Sequence, residues 1–346
     1  WLGFKADPAA GYIQAWGVFI AGFLQLALLM WGLRRAGLTL KIGRPRWSPE
    51  MKKLVALGIP GVIAGGITQV NIAIGTVIAS MQDGAVSHLY YADRLYELPL
   101  AIVGIAIGVV LLPDVSRHLR AGNHTAVMDS QNRSLEFAML LTVPAAMALF
   151  VIPTEIVRVL FERGAFTAAD TPYTAEALRI FALGLPAFVL IKVFSPAFFA
   201  RQDTKTPMRF AAWSLTANTI GSIGLFFLFR HLGWMPHLGI AAATTLGGWM
   251  NALLLYRGLK ARGHFESDAR LRRALPRIVL SAIVMGLTLI GTAYALDPWL
   301  NQSQGLLVRF SALAVLIGAG LFAYFGATQV TGAATFAQLR SAVRRK

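Results

Sequence analysis

The stretch LYYADRLYELPL (89–100) sets three ionisable side chains, Asp93, Arg94 and Glu97, in a segment otherwise apolar enough to face lipid. Two kinds of chemistry follow from their types. The Arg94 guanidinium can fork onto the paired oxygens of a phosphate or carboxylate, which a lysine ammonium cannot do. Asp93 and Glu97, four residues apart on one helical face, repel each other when both are ionised and therefore favour sharing a proton, so the pair is a candidate proton carrier. On a wheel of about 100° per residue with Asp93 at 0°, Glu97 falls at about 40°, Tyr90 at about 60° and Arg94 at about 100°. The same arc continues through Gly104 at about 20°, Gly108 at about 60° and Ala101 at about 80°. The face is predicted to be polar in its first half and nearly free of side chains in its second, which is the wall of a cavity.

Depth sharpens the argument. Glu97 lies about 13 residues past Gly84, or about 20 Å along a helix, near the middle of a bilayer. Each charge at that depth costs about 2.5–3.5 kcal/mol against lipid, so three cost about 8–10 kcal/mol, as much as the whole stability of a typical domain. The three must face water, protein or a charged ligand. A self-neutralising Arg94–Glu97 pair that merely pins helices is the structural alternative, but buried ion pairs rarely repay their desolvation. Lys192 is a second candidate for the cavity, with a snorkelling lysine as the bland reading.

The elements that must position these residues are membrane helices. Hydrophobic residues make up 56% of the 346-residue chain and charged residues 14%, with a mean hydropathy of +0.60. A soluble domain carries about 25% charged residues. The expected fold is all-α and polytopic, with nine spanning helices over 11–33, 53–81, 85–112, 134–153, 173–200, 208–229, 238–256, 275–296 and 306–330. The connections alternate in charge: one set (34–53, 114–133, 201–209, 257–277 and 340–346) carries 24 Lys and Arg, the other only 5. The basic set is expected on the cytoplasmic side, with the C-terminus cytoplasmic and Trp1 outside. The same rule accounts for the formal charge of +16 without nucleic acid.

Two connections have further character. GRPRWSPEMKK (43–53) reads as a basic turn at the inner leaflet, able to attract anionic lipid. In 153–172, IVRVLF is amphipathic and expected along the membrane surface, with Thr171 or Thr174 as a cap for the next helix. Helix breakers inside spans give hinge candidates at Pro60, Gly61, Gly65, Gly66 and Pro99; Pro144, Pro186 and Pro196 also fall within spans. Amides at Gln69, Asn71, Asn218 and Asn251 are expected to bond between helices rather than to bind a ligand.

Enzyme chemistry finds little support. The chain has no cysteine, and its six histidines show no metal-ligand spacing. No phosphate-cradling glycine loop, nucleophile elbow or HExxH is present. No cofactor or metal is expected. The opening WLGFKADPAAGYIQ lacks a basic n-region leading an apolar one. A start at Trp1, a few residues before a span, is expected of a fragment missing its N-terminal part.

YYADRLYELP (90–99), GIAIGVVLLPDVSRH (104–118), LFERGAFTAAD (160–170) and FFARQDTKTPMR (198–209) closely resemble the MurJ (MviN) family of lipid II flippases, over the full length of the chain. The resemblance implies helices six to fourteen of a fourteen-helix fold in the multidrug/oligosaccharidyl-lipid/polysaccharide exporter superfamily, whose two six-helix lobes flank a central cavity. Residues 1–52 would hold the last helix of the N-terminal lobe and a basic connection. Residues 53–262 would form the C-terminal lobe, and 263–346 two extra helices, providing a groove for a polyprenyl tail, and a basic tail. The implied substrate is lipid II, an undecaprenyl diphosphate carrying a disaccharide-pentapeptide, moved by alternating access from the inner to the outer leaflet of the bacterial inner membrane for peptidoglycan synthesis. Arg94 occupies the place of a family arginine assigned to the diphosphate; the reading of the residues themselves adds Glu97, Asp93, Tyr90 and Lys192 as candidates for the same cavity. The other arginines of that cluster lie in helices this chain lacks, so it is not expected to transport alone. Membrane lipids and cell-wall synthesis proteins are the other implied partners. The rival readings are a drug or polysaccharide exporter of the same superfamily, a membrane enzyme acting on polyprenyl phosphates through Asp93 and Glu97, and a non-transporting scaffold.

Overall fold

Apolar runs of this length become helices because a backbone in hydrocarbon must satisfy its own hydrogen bonds. The computed structural model describes residues 8–37, 47–301 and 304–333, and among these it contains ten helices and no strand. The part of the basic turn at 43–46 and the tail at 340–346 lie outside the described residues. Seven helices are long and apolar enough, by length and composition, to cross a membrane. The chain is therefore a multi-pass membrane protein.

Two compact units, Trp1–Val55 and Ala56–Lys346, divide it. The first contains α1 (Pro8–Arg35), long and apolar enough to cross a membrane. In the same unit Ser48 accepts a hydrogen bond from the Met51 backbone N–H at 3.2 Å, with Pro49 as the first helical residue of α2 (Pro49–Ala79). That helix runs without interruption past Pro60, Gly61, Gly65 and Gly66.

In the second unit α6 (Asp170–Phe199) is the central helix. It packs against α3 (Ala85–Arg120), α4 (His124–Val151), the short α5 (Pro153–Phe161) and α8 (His237–Ala261), and buried residues occur on every side of it. Outside α8 lies α7 (Lys205–His231); outside α4 lies the pair α9 (Ala269–Leu300) and α10 (Leu306–Thr331). Small residues let these backbones close up, as is usual where lipid gives no hydrophobic drive to helix association. A Cβ on Gly239 would meet the Leu225 backbone at 2.5 Å, one on Gly247 would meet Asn218 at 3.0 Å, and one on Gly258 would meet the Phe210 ring at 2.9 Å. These three positions draw α8 onto α7 along its length.

Polar contacts fix the ends. Arg262 donates to Asp203 at 2.7 Å and to the Thr206 hydroxyl at 3.0 Å, while Asp203 accepts from the Thr206 backbone N–H at 3.0 Å, closing the turn into α7. Gln202, in the same turn, takes a left-handed φ of 59°. At the opposite ends of these helices His88 lies 3.1 Å from Asp170 and stacks on Tyr173. Tyr324 of α10 donates to the Leu140 carbonyl at 2.7 Å, and Arg133 of α4 pairs with Glu136 and Asp268.

Several expectations need correction. Helices α3, α4 and α9 extend well past the predicted spans, α3 passing straight through Pro113 to Arg120. An apolar window ends at the first charges, whereas the helix continues into water on pairs such as Arg117–Asp114 and Arg133–Glu136, each three residues apart. Thr171 and Thr174 are not caps: both are buried inside α6, and Asp170 closes the preceding turn by accepting from Thr167. Helix α5 turns Ile156, Val157 and Val159 inward against the bundle.

Candidate functional site

The first half of α3 presents its charged face to open volume. Tyr90, Asp93, Arg94 and Glu97 line a cavity of about 620 Å³ within the second unit, together with residues of α2, α6, α7 and α8. The same turns of α3 bury Ala92 and Leu95 on the other side, and Tyr96, itself buried, lies at the cavity's edge. The 3.6-residue period thus sorts one short sequence into a packed face and a polar one.

Within the cavity Arg94 Nη1 donates to Glu97 Oε2 at 2.9 Å, and the guanidinium lies over the Tyr90 ring at 4.8 Å from its centroid. The two charged side chains are 54% and 44% exposed, so the pair is neither sealed in a knot nor buried away from a ligand. Asp93 is half-buried one residue before. An arginine held by a carboxylate at one nitrogen and by an aromatic face keeps further N–H donors for a second anion.

The predicted residues do not all meet. Lys192 is exposed and does not line this cavity, although its neighbour Ile191 does. Its stem runs along α3, with Cγ 3.7 Å from where a Cβ on Gly104 would sit. The α3 lining ends at Glu97, so the wall does not continue through Ala101 and Gly104 as the wheel suggested; the surroundings of Gly108 lie outside the described side chains. The aliphatic stem of Lys192 covers the small-residue face at Gly104 that would have been wall. Pro99 stands two residues past Glu97 inside α3, where it removes a backbone donor. Of the other hinge candidates, Gly66 has open space around it, and the side chains of Pro60, Gly61 and Gly65 lie outside the described ones.

What the sequence reading missed is the opposite wall. Asn71, Asn218 and Asn251 line the same cavity, joined by Thr219, Ser222 and Thr244. Asn71 does bond between helices, accepting from Thr219 at 3.0 Å, but Asn218 accepts from Ser222 on its own helix and Asn251 Oδ1 is buried without a partner among the described residues. On α8, Thr244, Gly247, Gly248 and Asn251 share one face, and that i, i+3, i+4, i+7 spacing was the readable signal.

A family model described as lipid II flippase MurJ matches residues 3–309. A probable lipid II flippase MurJ of Rhizobium meliloti (strain 1021) is 44% identical over 348 residues, covering 100% of this chain and 63% of the relative. One from Rhizobium tropici is 41% identical over 344 residues, covering 99% of this chain and 63% of the relative. The chain thus spans 63% of the length of these two relatives. A solved structure titled lipid II flippase MurJ, inward closed conformation, superposes with a TM-score of 0.64 at 24% identity, over 83% of this chain and 56% of that one. An outward-facing multidrug resistance MATE transporter of the MOP superfamily gives 0.50 at 16% identity, over 81% of this chain and 63% of that one. Those two likenesses speak to the fold alone. The family model over residues 3–309 goes further, and the identity over the whole chain agrees with it: this chain belongs to the MurJ family of lipid II flippases.

Proposed function

We propose that this chain is part of a lipid II flippase, a transporter that moves the undecaprenyl-diphosphate-linked peptidoglycan precursor from the inner to the outer leaflet of the bacterial inner membrane by alternating access. The activity belongs to the full-length protein. The chain supplies nine spans, α2 and α3 included, corresponding to helices six to fourteen of the family's two-lobe fold within the exporter superfamily. Residues 1–52, 53–262 and 263–346 take the three roles assigned above. The basic connections face the cytoplasm, and membrane lipids and cell-wall synthesis proteins are its neighbours.

One observation carries this reading: the Arg94–Glu97 pair at 2.9 Å stands open to a cavity in the middle of an apolar bundle. In this proposal Glu97 holds Arg94 when the cavity is empty, and the diphosphate displaces it, gaining paired charge-assisted bonds in exchange for one. Asp93 and Tyr90 complete the site, and Pro99 is where α3 yields as the cavity changes shape. Depleting the full-length protein while following the accessibility of lipid II at the outer face is the test. Loss of outer-face lipid II, restored by the wild type and not by Arg94→Gln, supports the reading; unchanged accessibility on depletion refutes it.

A further inference from the structure

The cavity has two walls of different chemistry. The α3 wall carries the charges. The facing wall, from α2, α7 and α8, carries amides and hydroxyls and has no ionisable residue among the described ones that line it. The Asn71 and Asn218 oxygens already accept from Thr219 and Ser222, so what these two amides offer a ligand is their N–H₂ donors. Asn251 supplies the complementary group: its Oδ1 is an acceptor, buried, with no partner among the described residues. A buried unpartnered acceptor costs free energy that a bound donor recovers. Between the walls lie aromatic faces, with Tyr96 5.2 Å from Phe181 and 5.7 Å from Phe188 between ring centroids, all three in the lining.

Amide donors and an amide acceptor beside aromatic faces form a surface for a neutral, multiply hydroxylated ring. A cation would find no carboxylate on this wall, whose described residues are all neutral. A sugar brings hydroxyls that both donate and accept, and acetamido groups that match carboxamides, while its C–H face packs on rings. The volume of about 620 Å³ falls within the range of about 300–1,000 Å³ typical of small-molecule sites.

We propose that Asn71, Asn218 and Asn251 form a saccharide subsite, receiving the N-acetylated sugars of the lipid-linked cargo while Arg94 takes its diphosphate. This rests on the reading that the cavity admits a polyprenyl diphosphate. The two walls then read two parts of one molecule: the charged wall accepts any polyprenyl diphosphate, and the amide wall selects the glycosylated form.

The test measures the affinity of the full-length protein in lipid nanodiscs for two probes, undecaprenyl diphosphate and the same lipid bearing an N-acetylated disaccharide. The wild type is expected to prefer the glycosylated lipid by about tenfold or more, the scale of one or two buried hydrogen bonds. Asn251→Leu should bring that ratio close to one while leaving the affinity for the bare lipid within about twofold. Asn71→Ala, at a half-buried position, serves as a second variant should Asn251→Leu fail to fold, and should also lower the ratio. Equal wild-type affinity for both probes, or an unchanged ratio in the folded variants, overturns the saccharide subsite and leaves the diphosphate reading intact. A wild type that binds neither probe overturns the diphosphate reading itself.

Discussion

Arg94 and Glu97 hold each other at 2.9 Å while each stays about half exposed, and that combination makes their bond easy to exchange. An exposed pair contributes little, less than the two charged oxygens of a diphosphate can offer an arginine fork. Removing the competitor should therefore help binding: Glu97→Gln in the full-length protein is expected to raise the affinity for undecprenyl diphosphate by about threefold, read by titration in nanodiscs. Arg94→Lys keeps the charge and loses the fork, so we expect about tenfold weaker binding of the same lipid and failure to support growth of a depleted strain. Full complementation by Arg94→Lys would show that charge alone suffices. The charged residues were legible in the sequence because an unneutralised charge at mid-membrane is so expensive that its presence demands a cavity. The amides were not, because a neutral amide in a span is cheap enough to be glue between helices, and only the fold reveals that Asn251 Oδ1 is buried without a partner among the described residues.

At the scale of the element, α8 illustrates how little freedom its interface leaves. Gly239 sits where a Cβ would strike the Leu225 backbone at 2.5 Å, which cannot move aside as a side chain would. Gly239→Ala is expected to destabilise the protein by about 1–3 kcal/mol, seen as a lower thermal midpoint in detergent. Gly224→Ala on α7, where a Cβ meets nothing within 4 Å, should be neutral or slightly stabilising. The turn before α7 gives a pH test. Burial by itself would raise the Asp203 carboxyl, but the hydrogen bonds from Thr206 and Arg262 prevail and hold it below its usual range. A carboxyl depressed in the folded state stabilises above its unfolded value of about 4, and that contribution disappears as the pH falls through the lower folded value. Asp203→Asn should therefore lower thermal stability at pH 7, and the gap from wild type should close below about pH 4. This turn also explains part of the motif FFARQDTKTPMR: Gln202 takes the left-handed position, Asp203 closes the helix start and Thr206 answers it. Helix existence was readable from apolar runs alone. Helix ends were not, since charge ends a hydropathy window but does not end a helix.

For the whole molecule, α6 is the trunk against which α3, α4, α5 and α8 pack, a centrality its sequence does not show, since α1 is just as apolar. The alternating charge of the connections predicts which ends of the helices face the cytoplasm. Because the chain has no cysteine, single replacements report cleanly. A thiol reagent that cannot cross the membrane is expected to label Trp234→Cys in intact cells, and Lys260→Cys only after permeabilisation. Both positions are exposed. Labelling in the reverse order would invert the proposed topology.

The seam of glycines between α7 and α8 has a mechanical consequence. Two helices stitched together at Gly239, Gly247 and Gly258 behave as one plank, carrying Asn218, Thr244 and Asn251 as fixtures whose spacing does not change. Any breathing of the chamber must then be taken up at its other borders, where Asn71 reaches the plank through a single hydroxyl and α3 carries a proline. Asn218 and Asn251 ride on the stiff side, while Asn71 and the guanidinium ride on the borders that give.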